Sequence, residues 1–202
     1  HQERLADSKA TRQRILQTAG IWGGNASGKS NLCKVFDFSR QLVVSGTRPD
    51  APTGRIPFRL RENAAQEPTR LLFELWLDVD GEEKLFRYSF AVNSREVIEE
   101  SLAELRGSFG RAWFRRTAGQ DGKAPAISLD WWERSEVSAD DRQFARFVAK
   151  GTAPNQLFLH EAMDRNLQLL APIFRWFRDQ LIILEPGAPY LPLELEWSNR
   201  QE

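Results

Sequence analysis

The chain is poor in the residues that build redox and metal chemistry. It holds one cysteine, two histidines and one methionine among 202 residues. A single cysteine, Cys33, excludes an intrachain disulfide framework and a multi-cysteine zinc site. Lying four residues past Lys29 on a predicted helix, it reads as core rather than as a reactive thiol. His1 and His160 are too few for a histidine-rich metal site. Charge of one sign is missing too: 28 basic residues meet 28 acidic ones. Bulk charge therefore gives no argument for nucleic acid or an anionic membrane as partner. No apolar run reaches the roughly 20 residues of a membrane helix, and no signal peptide is visible. A soluble, cytoplasmic protein without a membrane partner is expected. The length suits one domain, or one large piece of one, and there are no internal repeats.

What is present is concentrated in Gly23-Gly24-Asn25-Ala26-Ser27-Gly28-Lys29-Ser30. This fits the phosphate-binding loop pattern of a glycine, four residues, then Gly-Lys-Ser. Glycines let the backbone curl until successive N–H groups point at phosphate oxygens. Lys29 would reach the terminal phosphates as a point charge. The Ser30 hydroxyl would ligate Mg²⁺, which takes few protein ligands. A helix starting near Lys29 would add its positive end to the same anion. The flanks fit: Ile15 to Trp22 reads as a buried strand. From Asn31 to Val44, apolar positions 32, 35, 36, 39 or 40, and 43 make a helix face.

Before that strand, residues 1–13 have no clear period and read as a lead-in loop or frayed helix. After the helix, Ser45 to Pro57 is rich in Gly and Pro and reads as a loop, as does 61–68. Five strands follow, at Leu71–Val79, Lys84–Val92, Glu96–Leu105, Arg111–Thr117 and Ala126–Trp132. Asp80-Gly81 marks a hairpin between the first two. The pattern is an antiparallel meander whose aromatics, at alternating positions, belong to the core rather than to base-stacking platforms. Ser138 reads as a helix cap, with Asp140 and Asp141 behind it, Phe144, Phe147 and Val148 inside, and Gly151 as the stop. Gln156–Leu159 reads as extended. A second helical stretch runs from Glu161 to Gln180, interrupted at Pro172 and carrying Ile173, Phe174, Trp176 and Phe177. Leu181–Leu184 reads as a short buried strand.

The run Ile21 to Leu32, with Asn25-Ala26-Ser27 filling the loop and Asn31-Leu32 after it, resembles the loop of ABC-type ATPase heads. More narrowly it resembles bacterial "AAA family ATPase" proteins of abortive infection and phage defence, relatives of SMC and recombination-repair heads. Ile56-Pro57-Phe58, Phe86 to Phe90, Val97 to Leu102, Leu157 to Leu159 and Trp176-Phe177 extend the likeness over about residues 15–185. It implies an α/β P-loop NTPase of ABC type with an inserted antiparallel β lobe and a helical segment. One head domain would span 1–202, with loop strand and helix at about 14–45, β lobe at about 57–132 and helical part at about 138–185. The cofactors implied are ATP and Mg²⁺. Gly24, Asn25, Ala26 and Ser27 would wrap the phosphates, beside Gly23 and Asn31, and Gly28 would give close backbone approach. Lys29 would be the catalytic contact to the β- and γ-phosphates, and Ser30 the metal ligand.

Such a head also needs an acidic pair after a hydrophobic strand, a Leu-Ser-Gly-Gly-type signature and a late switch histidine. None is secure here. Leu181 to Pro186 resembles the acidic strand, but Leu184 stands where the Asp belongs. The signature segment should also precede that strand, so Glu185 reads better as a solvated strand end than as the catalytic glutamate. Gln156 as a phosphate-sensing glutamine, His160 as the switch, and Arg115-Arg116 as phosphate or nucleic-acid contacts each compete with a structural or solvated role. The simplest reading makes the chain the N-terminal half of a longer ATPase. The leading function is then an ATP-binding head, dimeric around ATP, that controls a nuclease or toxin effector or a DNA interaction. A DNA-repair or chromosome-maintenance ATPase is the second reading. A nucleotide-binding module without hydrolysis is the third, and a small-molecule kinase a weak fourth.

Overall fold

The structure is a computed structural model describing residues 5–7, 14–16, 18–57, 62–106, 109–119, 124–129, 132 and 137–184. Its elements in order are β1 (Leu5–Asp7), β2 (Arg14–Leu16), α1 (Lys29–Val44), β3 (Thr69–Val79), β4 (Glu82–Val92), β5 (Val97–Arg106), β6 (Phe109–Thr117) and β7 (Ala126–Ser128). There follow α2 (Ala139–Gly151), α3 (Phe158–Asp164), a 3-10 turn (Gln168–Leu170), α4 (Ala171–Arg175) and a π-helical turn (Trp176–Gln180). Among the described residues no helix is long and apolar enough to cross a membrane.

The centre is the meander β3-β4-β5-β6-β7, antiparallel throughout. Its first hairpin turns on Asp80 and Gly81, both with positive φ (56° and 80°). That is the primed turn whose twist matches the flanking strands. The Asp78 carboxylate closes it by accepting from the Gly81 N–H at 2.9 Å. Alternation sends Phe73, Leu75, Leu77, Phe86, Tyr88, Phe90, Leu102 and Phe114 into the core, as their spacing predicts. The helical segment covers this face. Phe177 packs edge-on against Phe73 at 5.0 Å, and Phe158 against Phe114 at 4.9 Å. Each such ring contributes about 1.5–3 kcal/mol by leaving water.

Several expectations change in the fold. The strand expected at Ile15–Trp22 is only Arg14–Leu16, paired with β1 inside the stretch read as a loop or frayed helix. From Thr18 to Gly23 the backbone is irregular, and Ile21 and Trp22 are 61% and 88% exposed. A buried strand needs neighbours for its N–H and C=O groups, and among the described residues none runs beside 18–22. Leu181–Leu184 forms no strand for the same reason. β7 stops at Ser128, and Leu129 and Trp132 leave the sheet to fill the core. Gln156–Leu159 does not stay extended, because α3 starts at Phe158. Pro172 restarts a helix within the first turn of α4, where its missing N–H costs nothing.

Ser138 caps α2 as expected, its hydroxyl accepting from the Asp141 N–H at 3.1 Å, and the helix ends at Gly151. The buried stripe of α2 is Ala145 and Val148, whereas Phe147 is 62% exposed. On α1 the buried residues are Ser39, Leu42 and Val43, while Leu32 stays exposed, as does Cys33, expected in the core, because among the described residues nothing packs on the start of the helix. This helix is about 24 Å long at 1.5 Å per residue, and only its second half is packed.

Candidate phosphate-binding site

The unpacked end of α1 carries the glycine loop. Ala26 (φ 63°) and Gly28 (φ 92°) take the left-handed conformation, which folds the chain back at Ser27, whose N–H reaches Gly24 O at 3.3 Å. Gly28 caps α1 without a side chain, and the first turn has no acidic residue. Its N–H groups therefore keep their partial positive charge for an anion. A Cβ on Gly23 would stand 2.6 Å from Ser27 Oγ, whereas one on Gly24 would meet nothing within 4 Å. The loop is thus tight at one glycine and open to approach at the next.

Lys29 turns back over the loop. Its ammonium donates to Gly23 O at 2.6 Å and Gly24 O at 2.7 Å, with Ser27 Oγ at 3.4 Å. The charge is held at the loop's mouth by carbonyls that a phosphate can replace. Asn25, Ser30 and Asn31 are exposed beside it. Among the described residues no cluster of three or more His, Cys, Asp or Glu could hold a metal ion. A cation here would take the Ser30 hydroxyl, phosphate oxygens and water, which suits Mg²⁺. The residues present therefore fit a Mg-polyphosphate.

The far end of α1 is anchored. Arg40 donates to Phe177 O at 3.2 Å and Arg178 O at 3.3 Å. His160 Nδ1 donates to Val43 O at 3.0 Å, since a carbonyl can only accept. The imidazole lies against Gly46, where a Cβ would come within 2.2 Å of it. His160 is thus a strut under α1. Gln156 is equally committed, donating to Thr47 O at 3.0 Å and accepting from the Ala153 N–H at 3.3 Å. Arg116 is buried and donates to the carbonyls of Gln156, Ala153 and Pro154 at 2.6, 3.1 and 2.8 Å. Arg115 lies on the other, exposed face of the sheet. Glu185 falls outside the described residues.

A polar hub that no sequence motif announces lies under the sheet. Glu100 is buried, its carboxylate accepting from the N–H groups of Phe158 and Leu159 at 2.6 and 3.0 Å and from Tyr88 OH at 2.9 Å. Arg116 stands 3.9 Å away. Burial holds the Glu100 carboxyl above the usual carboxylate range, although Arg116 and the two N–H bonds pull it down. Burial, then the carboxylate beside it, raises the Tyr88 phenol well above its ordinary value. Burial also lowers Arg116, against the pull of Glu100. The signal was strand parity: Glu100 shares the core-facing side of β5 with Leu102. A concavity of about 940 Å³ opens on the sheet's outer face over Arg87, Ser89, Ser101 and Arg115, and no loop residue lines it.

A family model described as "AAA domain, putative AbiEii toxin, Type IV TA system" matches residues 19–128, just over half of the chain. The chain belongs to this AAA family. The match starts at the approach to the loop and ends with β7, so it spans loop, α1 and meander. No curated protein and no solved structure matches the chain. An AAA domain is a nucleotide-binding domain of P-loop type, and the abortive-infection likeness of the loop agrees with the family's description.

Proposed function

We propose that this AAA domain binds Mg-ATP at Gly23–Ser30 and acts as an ABC-type head within a toxin–antitoxin or abortive-infection system. The carrying observation is the exposed loop with Lys29 held at its mouth by two carbonyls. On binding, the loop N–H groups and the end of α1 would take the phosphates. Lys29 would exchange its carbonyls for β- and γ-oxygens, while Ser30 would join the cation's shell. Mg²⁺ supplies charge neutralisation between the phosphates. Asn25 and Asn31 stand ready as polar neighbours, and the anchored half of α1 would carry any displacement of the loop to the helical segment. An arrangement of two heads around ATP would then control an effector or release an antitoxin partner, through differential binding to one geometry.

The test is titration with Mg-ATP by calorimetry, with Trp22 fluorescence and phosphate release read on the same samples. Saturable binding that Lys29→Ala weakens by about tenfold to a hundredfold supports the reading. No binding at millimolar nucleotide sinks it for this chain. A second reading is binding without turnover, since Lys29 and Ser30 can hold a nucleotide without a catalytic glutamate. It predicts occupancy with no phosphate release.

A further inference from the structure

The two edges of the meander differ. β7 is three residues long, whereas β3 has eleven, paired with β4 in an unbroken register and, among the described residues, with no other strand. Natural edges are blunted by charged side chains, proline, bulges or shortness. β3 has no lysine, proline or bulge between Thr69 and Val79; its charges are Arg70, Glu74 and Asp78, of both signs and all on the outer face. The hairpin fixes which backbone groups are free. Val79 and Glu82 flank the two-residue turn as a hydrogen-bonded pair, so odd-numbered residues of β3 bond to β4. Arg70, Leu72, Glu74, Trp76 and Asp78 turn their N–H and C=O groups to the open edge. Among the described residues no backbone bond outside the ladder reaches β3.

The same residues carry a self-complementary pattern on the outer face: a cation, an apolar side chain 60% exposed, then an anion, at Arg70, Leu72 and Glu74. We propose that β3 is a homotypic docking edge, on which two copies of this chain pair antiparallel about a two-fold axis at Leu72. Arg70 then faces the partner's Glu74, Glu74 faces the partner's Arg70, and the two Leu72 side chains meet. All three positions have their backbone groups free, so this register also closes the ladder. Moving the axis to Glu74 sets two carboxylates opposite each other. Moving it to Phe73 leaves Arg70 opposite tryptophan and Leu72 opposite a carboxylate. Both charges are already ordered, Arg70 by Glu99 at 2.6 Å and Glu74 by Arg87 at 2.6 Å, so little side-chain freedom remains to be lost on pairing. No loop residue takes part, and the pairing needs no nucleotide.

Sedimentation of the nucleotide-free chain over about 1–200 µM tests this, since a strand-only contact is small and of roughly micromolar strength. A dimer is expected. Arg70→Glu and Glu74→Arg each set like charges opposite in their own dimers and should weaken association on the order of tenfold to a hundredfold. Mixed in equal amounts, the two variants restore both charge pairs, and a heterodimer should form. Circular dichroism checks that each is folded, and Leu72→Lys replaces a charge variant that is not. A wild-type monomer at every concentration overturns the proposal and points to an edge covered within one chain. So does a mixture no better than its parts, or a dimer that appears only with Mg-ATP and is lost in Lys29→Ala.

Discussion

Replacing Glu100 by alanine should be among the most damaging changes this chain can suffer. The substitution leaves the Phe158 and Leu159 N–H groups and the Tyr88 hydroxyl without their acceptor in a fully buried place. A buried donor left unsatisfied costs about 1–3 kcal/mol, so three sum to about 3–9 kcal/mol before relaxation. The lost ion pair adds less than usual, because Arg116 stands at 3.9 Å and turns its two terminal nitrogens to three carbonyls. With water entering the gap, about 4 kcal/mol is expected, close to the whole stability of a marginal domain. Glu100→Gln keeps one acceptor oxygen and should cost about half as much. Urea unfolding followed by tryptophan fluorescence gives both values, provided m stays constant. A Glu100→Ala variant within about 1 kcal/mol of wild type would refute the hub, because orphaned donors cannot be that cheap.

Other outcomes follow from the same geometry. The Glu100 carboxyl is raised in the fold, so its contribution is fully present below the unfolded value near ~4.3 and is lost as pH rises through the folded value. Wild type should therefore lose stability relative to Glu100→Gln as pH climbs above about 4, as paired urea midpoints would show. Gly46→Ala forces a left-handed alanine and a clash with His160. It should cost at least about 1–2 kcal/mol, partly recovered in a Gly46→Ala/His160→Ala double variant measured by thermal unfolding. Ser138→Ala removes the α2 cap and should cost about 1 kcal/mol by urea midpoint, with ATP binding unchanged. Lys29→Ala should leave the urea midpoint where it is, because the ammonium is exposed, while calorimetric ATP affinity falls.

The sequence by itself determined the loop, α1, the meander with its Asp-Gly hairpin, and the α2 cap. Each is set by neighbours in the chain: a glycine's freedom at Gly28, alternation along β4, a hydroxyl three residues before its N–H at Ser138. It also carried the family likeness, because the loop's chemistry lies in one unbroken run. What lay beyond it depended on partners distant in sequence. Apolar composition marked Ile15–Trp22 and Leu181–Leu184 as strands, but a strand exists only where another backbone takes its hydrogen bonds. Phe144, Phe147 and Val148 had the pattern of a core, yet only Val148 is buried, beside Ala145, because rotation about the helix axis is fixed by what it packs on. Gln156, His160 and Arg116 had the chemistry of phosphate contacts, and tertiary structure spent them on carbonyls under α1 and α3. Glu100 reverses the case: an ordinary strand glutamate in the sequence, it became the buried acceptor of a helix end 58 residues away. A charge can stay in a core only where other groups replace its water, and only the assembled fold brings those groups together.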